Sequence, residues 1–530
     1  MSDTREATEA AAPSEGATEA SDRTANRSTT PGSDRFKDYL STGWAERDET
    51  LPPARPQAAY AAARRAAVSA AFPGERLIIP AGDMKQRAND TDYPFRAHSA
   101  FAHLTGWGSD AEPGAVLVLE PRGDDDGGTS DDGGHVATVY FRERAGRDSD
   151  EFYANPAIGE FWIGPRPSLA HVAADLAVAT RDIADFGDVV DHLDTTALIV
   201  READPAITDR VDYARIRFAT DRALSTNAAD APFSLEFGED HEPDAAFARV
   251  LSELRLVKDD FEIAELRAAV DATARGFTEV LAELPRITSE VRGERVIEGV
   301  FATRARLDGN DVGYASIAAA GPHATILHWT RNDGAVVPGD LVLLDAGVEM
   351  DSYYTADITR TFPVNGTFSD VQRKIYEAVL DAADAAFAMV RPGAVSRDIH
   401  ATAMRVIAQR TAEWGLLPVS ADESLEPENQ FHRRYMVHGT SHHLGLDVHD
   451  CAQARRELYL DGVLQPGMVF TIEPGLYFQP DDLTVPEAFR GIGVRIEDDV
   501  LVTEDGAVNL SAAIPRTADE VEAWVRSAQR

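Results

Sequence analysis

The chain has 530 residues, 44% of them hydrophobic, and a formal net charge of −39 at pH 7. This length exceeds what one ordinary hydrophobic core can serve, so two domains are expected. Nucleic acids and anionic membranes both require a cationic face, so neither is expected as a partner of so acidic a chain. No run of about 18 apolar residues is present, so no membrane span is expected either.

Cysteine usage and the N-terminal sequence indicate a cytoplasmic protein. Cys451 is the single cysteine, so no intrachain disulfide can form, which is typical of a reducing compartment. The first residues lack the basic and apolar regions of a signal peptide. Cys451 follows His449 and Asp450, but no ordered His/Asn pattern accompanies it. A small buried packing residue is therefore favoured over a nucleophile.

Composition divides the chain into a tail and two folded parts. Residues 1–34 are rich in Ala, Ser, Thr, Glu and Gly, so a disordered tail is expected there. Residues 35–250 alternate helical and extended segments and are expected to form an α/β domain. A polar, acidic loop at 123–134 is expected to be the tip of a hairpin. The expected strands lie at 75–83, 114–121, 135–144 and 196–202, and the expected helices at 35–44, 56–72 and 168–180.

Residues 251–530 are expected to form a second domain, of α+β class. Apolar residues recur at helical spacing from near Glu253 until Pro285 ends the pattern. Ser369 and Gln372 have the spacing of a capping box, which predicts a helix start. Strands, two long helices and further strands are typical of a sheet with helices on one face. The other expected elements are helices at 289–307 and 396–415 and strands at 432–439, 468–474 and 495–503.

Four acidic residues and one histidine of this second domain indicate a metal site. Asp345 ends an apolar run, where an ionised carboxylate is costly unless it is paired or binds a cation. Asp357 stands twelve residues later, across an expected β-hairpin that can bring the two carboxylates face to face. Glu473 and Glu497 also lie in apolar strands, and a cation is the simplest compensation for like charges in a dry interior. With His442 they form an oxygen-rich ligand set that suits Mn²⁺, Mg²⁺ or a bridged pair of divalent ions.

The phrases around these residues resemble those of the pita-bread metallopeptidases, most closely the Xaa-Pro aminopeptidase family. The resemblance implies a C-terminal pita-bread metallopeptidase domain preceded by an α/β creatinase-like N-terminal domain. It also implies release of the N-terminal residue from peptides with proline in the second position. The phrases are DAG at 345–347, DITRTFPVNG at 357–366, HGTSHHLGLDVHD at 438–450, EPGLY at 473–477 and VRIEDD at 494–499.

The same resemblance implies a dinuclear centre, usually of two Mn²⁺ ions per chain. Asp345 would bind one ion, His442 and Glu473 the other, and Asp357 and Glu497 would bridge them. A hydroxide held between the ions would be the nucleophile, because metal binding lowers the pKa of bound water. Glu473, beside that hydroxide, would be the general base.

Other residues match family positions around the substrate. His328 and His449 would hydrogen-bond the scissile carbonyl or the tetrahedral oxyanion. His438 matches a position near the proline pocket. His443 is expected to point away from the site, since neighbours on an extended chain alternate faces. Three further residues are expected to orient the ligands without binding metal themselves: Tyr314, Tyr477 and Arg495. Arg495 shares a strand face with Glu497.

The N-terminal half matches the family more weakly, through Tyr93–Arg96, Phe101 and the residues at 104–106. In the family this domain helps to assemble the oligomer and narrows the cleft, which implies a homo-oligomer, a dimer or a tetramer. Ala102 departs from the pattern, because some relatives carry an aromatic residue there that lines the substrate pocket. The spacing of twelve between the first two ligands also departs from the eleven common in relatives, which leaves the shape of that loop open.

Three other functions compete with the aminopeptidase. An Xaa-Pro dipeptidase shares the ligands, and the phrase at 431–438 together with the overall similarity favours the aminopeptidase. Methionine aminopeptidases lack the large N-terminal domain. A metal-free relative, either a binding or scaffold protein or a creatinase-like hydrolase, would have lost ligands, whereas all five are present in this chain. Peptide substrates with an Xaa-Pro N-terminus are therefore the expected partners.

Overall fold

A computed structural model describes residues 30–89, 91–122, 134–191, 193, 196–225 and 242–529. Most of the expected tail and nearly all of the loop at 123–134 lie outside the described residues. The first helix of the described residues begins at Asp34, where the Ser33 side chain accepts a hydrogen bond from the Phe36 amide. Among the helices that the structure describes, none is both long and apolar enough to cross a membrane.

The N-terminal half is built on a mixed sheet, as its alternating pattern predicts. Its helices span Asp34–Leu40, Ala58–Ala71, Ser99–Thr105, Asp150–Ala154, Glu160–Ile163, Leu169–Leu176, Phe186–Val190, Pro205–Ser225 and Glu242–Leu254. Its strands are β1 (Arg76–Pro80), β2 (Gln86–Ala88), β3 (Thr91–Asp92), β4 (Val116–Pro121), β5 (His135–Phe141), β6 (Ala179–Asp182) and β7 (Ala197–Ile199).

Five of these strands form one sheet in the order β6-β5-β4-β1-β7. Strand β1 pairs antiparallel with β4 and parallel with β7. All five residues of β1 are buried, as a central strand covered on both faces requires. The expected strands of this half are thus confirmed, and each is two to four residues shorter than expected.

The C-terminal half combines small antiparallel sheets with long helices. Its strands are β8 (Asp311–Val312), β9 (Ile317–Ala320), β10 (Leu341–Ala346), β11 (Val348–Glu349), β12 (Ile358–Pro363), β13 (Val469–Ile472), β14 (Gly475–Phe478), β15 (Ile492–Arg495), β16 (Asp498–Val502) and β17 (Ala507–Asn509). Its helices span Asp260–Ala282, Leu284–Ile287, Gly293–Asp308, Asp370–Phe387, Ser396–Glu413, Ala421–Ser424, Arg456–Tyr459 and Ala518–Ala528.

The sheets of this half are ordered β12-β10-β9, β13-β16-β17, β14-β15 and β11-β8. A backbone hydrogen bond of 3.1 Å from the Glu497 amide to the Thr359 carbonyl joins the first sheet to the second. The strand ends that carry the four acidic residues therefore meet in one place. The helices Asp260–Ala282 and Gly293–Asp308 pack together at Gly276, where a Cβ would lie 2.7 Å from the Phe301 ring.

Two element predictions for this half are wrong. The long helix begins at Asp260, not near Glu253, because Asp259 caps it in a capping box with Glu262 and the preceding helix ends at Leu254. The segment predicted as a strand at 432–439 instead begins with a 3₁₀ turn, Phe431–Arg434. In that turn the buried His432 ring lies 2.9 Å from Ser424 Oγ, and this contact replaces strand pairing. The capping box at Ser369 is confirmed.

The two halves are joined by polar contacts. Arg96 of the N-terminal half donates to Glu349 at 2.9 Å and to the Leu446 carbonyl at 2.6 Å. Ser99 Oγ donates to Asp447 at 2.7 Å. The predicted domain boundary at residue 250 stays a prediction, and that residue lies within the helix Glu242–Leu254.

Candidate metal centre

Asp345 and Asp357 are brought together by the predicted hairpin. Asp345 lies on β10, opposite Thr359 of the antiparallel β12, and Asp357 immediately precedes β12. Gly347 permits the close approach of the two arms, because a Cβ there would lie 1.6 Å from the Ala356 carbonyl oxygen. The Tyr314 hydroxyl lies 2.7 Å from Asp345 Oδ1 and 2.5 Å from Asp357 Oδ1, so it contacts both carboxylates.

His442 reaches the hairpin from a segment that runs beside β13. The Thr471 amide donates to the His442 carbonyl at 2.9 Å, and the Glu473 amide donates to the Thr440 carbonyl at 2.9 Å. These bonds place His442 next to Glu473, which follows β13 directly. His442 Nε2 lies 3.3 Å from Asp357 Oδ2 and 3.7 Å from Glu473 Oε1.

Glu497 completes the cluster from the turn between β15 and β16. One donor atom from each of Asp357, His442 and Glu497 lies within 4.8 Å of the other two. Thr359 Oγ1 donates to Glu497 Oε2 at 2.7 Å. The structure thus brings all five residues predicted as ligands together, each in contact with at least one other or with a shared partner.

The charges of this cluster are poorly compensated by the protein itself. Burial raises the pKa of Glu473 to about 7, and the neighbouring aspartates add to the shift. Burial also raises the pKa of Glu497 well above its usual range and raises that of Asp345 despite the nearby Arg495. The pKa of His442 is about 9, because Asp357 and Glu473 outweigh the lowering effect of burial.

These residues fit a bound divalent cation. The Glu497 Oε1 atom is buried and has no hydrogen-bond partner among the described residues. A buried carboxylate oxygen without a partner is costly, and a metal ion is the partner that removes this cost. The donors are carboxylate oxygens and one imidazole nitrogen, a set that hard divalent ions favour.

Arg495, Tyr477 and His438 form a hydrogen-bonded chain beside the ligands. Arg495 forms an ion pair with Asp345, and its Nε lies 3.1 Å from Thr359 Oγ1. Its Nη1 donates to the Tyr477 hydroxyl at 3.1 Å. That hydroxyl lies 2.8 Å from Nε2 of His438, whose Nδ1 lies 3.6 Å from Glu473 Oε2.

The remaining histidines take different positions. The His449 ring lies 4.2 Å from the His442 ring. Partial desolvation and then the charge of His442 lower the pKa of His449, which lies beside the cluster. His328 makes a smaller contribution to this shift. His328 is exposed. His443 is buried against the Tyr459 and Phe470 rings, away from the ligands, as expected.

Three neighbours of the ligands were missed in the sequence. The Asp499 carboxylate accepts a hydrogen bond of 3.2 Å from the Asp357 amide. Thr471 Oγ1 accepts one of 3.2 Å from the His442 amide. Thr359 holds Glu497, as described above. The signals available in the sequence were the second acidic residue after Glu497 in VRIEDD and the threonines in DITRT and TIEPG.

Cys451 and Ala102 are also placed by the structure. Cys451 is buried, and burial raises the pKa of its thiol to about 12. The interpretation as a packing residue is therefore confirmed, since a reactive cysteine needs a lowered pKa. Ala102 lines a small cavity between the halves with Trp107, Phe261 and Tyr354.

A two-domain α+β fold with a buried carboxylate and histidine cluster that fits divalent ions defines a metal-dependent hydrolase. Residues 264–504 match the model of metallopeptidase family M24, and residues 61–199 match that of the aminopeptidase P N-terminal domain. Xaa-Pro aminopeptidase 1 of Streptomyces coelicolor is 50% identical over 501 residues, which cover 93% of this chain and 93% of that protein. Xaa-Pro aminopeptidase of Escherichia coli is 33% identical over 88% of this chain and 97% of its own length.

A solved structure shows the same fold. The structure of Pseudomonas aeruginosa aminopeptidase PepP superposes with a TM-score of 0.73 at 32% identity, and the match covers 90% of this chain and all of that chain. The chain belongs to metallopeptidase family M24, in the branch that carries the aminopeptidase P N-terminal domain. The family and the fold class inferred from the sequence are confirmed.

Proposed function

We propose that the protein is an Xaa-Pro aminopeptidase that uses the five-residue cluster as its metal centre. The observation that carries this proposal is the convergence of Asp357, His442 and Glu497 around the unpartnered Glu497 Oε1. The preference for proline rests on the relatives, two of which are Xaa-Pro aminopeptidases that match this chain over most of its length. The same similarity favours the aminopeptidase over an Xaa-Pro dipeptidase.

The metal centre is proposed to hold two Mn²⁺ ions. Asp345 would hold one ion, and His442 and Glu473 the other. Asp357 and Glu497 would bridge them, and one donor atom of each lies within 4.8 Å of the other and of His442. When bound, such a pair of ions lowers the pKa of a coordinated water and polarises the scissile carbonyl.

The protein's own groups would move the proton and orient the peptide. Glu473 would accept the proton of the attacking water at a carboxylate oxygen and return it to the leaving proline nitrogen. His449 and His328 would donate hydrogen bonds to the carbonyl oxygen as it gains charge. His438 would flank the proline ring, held by the Tyr477 hydroxyl at 2.8 Å. Arg495 would fix Asp345 and Tyr477.

Two broader proposals concern assembly and location. The exposed apolar side chains of Phe161, Trp162 and Ile163 lie together on the N-terminal half, which supports a homo-oligomer, a dimer or a tetramer. Sedimentation of the purified chain would test it. The lone Cys451 supports a reducing compartment, and we place the protein in the cytoplasm, which cell fractionation would test.

The function is tested by turnover of Xaa-Pro peptides and by the Glu473→Gln variant. Wild-type protein loaded with Mn²⁺ should release the N-terminal residue from Xaa-Pro-Yaa peptides. Glu473→Gln should lower kcat by about 10²–10⁴-fold, because the amide cannot accept the proton. Initial rates at saturating Mn²⁺ measure both, and metal analysis should find two ions per wild-type chain. Chelation should abolish turnover, and Mn²⁺ should restore it.

Glu487→Gln is the matched control, because Glu487 is exposed in a neighbouring turn. This variant should retain wild-type rates. Near-normal activity of Glu473→Gln would refute the assignment of the base. Absence of turnover of any Xaa-Pro peptide by the metal-loaded protein would refute the function. Turnover of dipeptides alone would identify an Xaa-Pro dipeptidase.

A further inference from the structure

Arg433 is a half-buried cation, and no acidic residue of the described part of the chain neutralises it. Among the residues that the structure describes, no carboxylate forms an ion pair with Arg433, and burial lowers the pKa of its guanidinium. Its neighbour Arg434 pairs with Asp482 through two hydrogen bonds of 2.8 and 2.9 Å, which raise its pKa. A half-buried guanidinium without an acidic partner is costly, and Arg433 lacks one although the chain has 90 acidic residues against 51 basic ones.

Arg433 is linked to the candidate metal centre through His400 and Thr440. Its Nη1 lies 3.0 Å from His400 Nε2, and its Nη2 donates to the Val437 carbonyl. His400 Nδ1 lies 3.1 Å from Oγ1 of Thr440, whose carbonyl accepts the Glu473 amide. The charge of Arg433 also contributes to lowering the pKa of His438. Arg433 is thus connected through two residues to the proposed base.

His400 holds the guanidinium in one orientation. Burial, and then the charge of Arg433, lower the pKa of His400 to about 4, so its ring is neutral at pH 7. A neutral ring can accept an Arg433 N–H at Nε2 while its Nδ1 contacts Thr440. An arginine has five N–H donors, and the contacts to His400 and Val437 use two of them. The other donors can bind a ligand.

The unpaired charge and the planar donor fork together indicate a carboxylate ligand. Guanidinium groups bind carboxylates with two parallel hydrogen bonds. Arg495, which lies beside the ligands, already contacts Asp345, Thr359 and Tyr477. An exopeptidase that binds the peptide's amino end at the metals leaves its carboxyl end pointing outward. In a tripeptide that end lies two residues beyond the scissile carbonyl, about 7 Å along an extended chain.

We propose that Arg433 binds the C-terminal carboxylate of Xaa-Pro-Yaa tripeptides, and that His400 is a positioning residue for its guanidinium. This inference rests on the proposed function and names the substrate class that the site favours. Longer peptides, whose carboxyl end lies farther out, present only a backbone carbonyl at this position. Short peptides with a free carboxylate therefore bind more tightly than their amides.

The test compares an Xaa-Pro-Yaa tripeptide with its C-terminal amide. For the wild type, KM for the acid should be about 10–100-fold lower than for the amide, because a charge-assisted hydrogen-bonded pair is lost in the amide. Arg433→Gln should raise KM for the acid to that for the amide, with kcat changed by less than about threefold. Arg433→Lys should recover part of the preference, since it keeps the charge but not the fork.

Arg434→Gln is the matched control, because the neighbouring arginine already pairs with Asp482, and it should keep the wild-type preference. His400→Leu should weaken the preference through KM, and His400→Gln should restore it, because the Gln carbonyl can replace Nε2 as acceptor. A wild type without the preference, or Arg433→Gln and Arg433→Lys variants that keep it in full, would overturn the inference. Failure of the wild type to cleave either peptide would instead overturn the proposed function.

Discussion

Single hydroxyl groups determine how the ligands of this centre are held. The Tyr314 hydroxyl contacts both Asp345 and Asp357, and the Thr359 hydroxyl donates to Glu497. Such groups fix the orientation of carboxylates before a metal binds, and their loss costs metal affinity although they are not ligands themselves. The tyrosine was expected from the sequence, but the threonine was not, because a hydroxyl inside a strand gives no sign of what it faces.

At this scale we predict the effect of Tyr314→Phe. The variant should lower the apparent affinity for Mn²⁺ by about 10–100-fold, because two carboxylates lose their shared partner. Titration of activity against free Mn²⁺ measures this affinity. Tyr376→Phe is the control, since that buried hydroxyl donates to the Arg516 carbonyl at 2.6 Å, outside the cluster. Equal Mn²⁺ affinity in both variants would contradict the role of Tyr314.

At the scale of elements, one arginine holds together strands β12 and β16. These strands adjoin Asp357 and Glu497, the two residues proposed to bridge the metal ions. Arg360 on β12 is fully buried, and it donates to the Glu497 carbonyl at 2.6 Å and to Asp498 at 2.7 Å. Its Nε donates to the Pro515 carbonyl at 2.9 Å. Strands β12 and β16 therefore cannot separate without leaving this charge unpaired in the interior.

We expect Arg360→Met to lower the free energy of unfolding by about 3–5 kcal/mol, because it leaves Asp498 with one cationic partner and several carbonyls without a donor. Urea unfolding monitored by circular dichroism measures this change. Arg397→Met is the control, because its pair with Asp461 is at the surface and should contribute less than about 1 kcal/mol. If Arg360→Met lowered the free energy of unfolding as little as the control does, the proposal that Arg360 holds the two strands together would be wrong.

At the scale of the whole molecule, a buried ion pair lies where the two halves join. Arg255 follows the helix Glu242–Leu254, and its Nε donates to Asp450 at 2.8 Å. Burial alone would raise the pKa of Asp450, but Arg255 and Lys258 outweigh it and lower that pKa. A carboxylate with a lowered folded-state pKa stabilises the fold above its unfolded pKa of about 3.9, and this contribution is lost as pH falls through the folded value.

Asp450→Asn should therefore lower the free energy of unfolding at pH 7 by about 3–5 kcal/mol, because the buried Arg255 loses its partner and Lys258 loses a nearby opposite charge. The difference between wild type and variant should shrink as the pH is lowered below about 4. Urea titrations from pH 3 to 8 measure both effects. Asp381→Asn removes an exposed pair with Arg410 and should change stability by less than about 1 kcal/mol. If the difference in free energy of unfolding between wild type and Asp450→Asn stayed constant with pH, an ionised pair between Asp450 and Arg255 would be contradicted.

Periodic and capped elements were predictable because their signals are local. The helix at Ser369 follows its capping box, and the central strands follow continuous apolar runs. The segment at 432–439 was not predictable, because its 3₁₀ turn depends on His432 meeting Ser424 of another short helix. The start of the long helix was misplaced because the apolar pattern continues through Glu253 into the preceding helix, and only the Asp259 cap separates the two.

The sequence by itself determined the family, the α+β class and the five ligand candidates, because these depend on residue types in fixed short phrases. The tertiary structure decided which groups meet: Tyr314 reaches two aspartates, and Glu497 Oε1 is left without a partner among the described residues. The tertiary structure also gives Arg433 and Arg434 different environments. The two are equal in a sequence, but the fold places Asp482 beside one and the neutral His400 beside the other. Only long-range packing brings such partners together, so no local pattern could distinguish the two arginines.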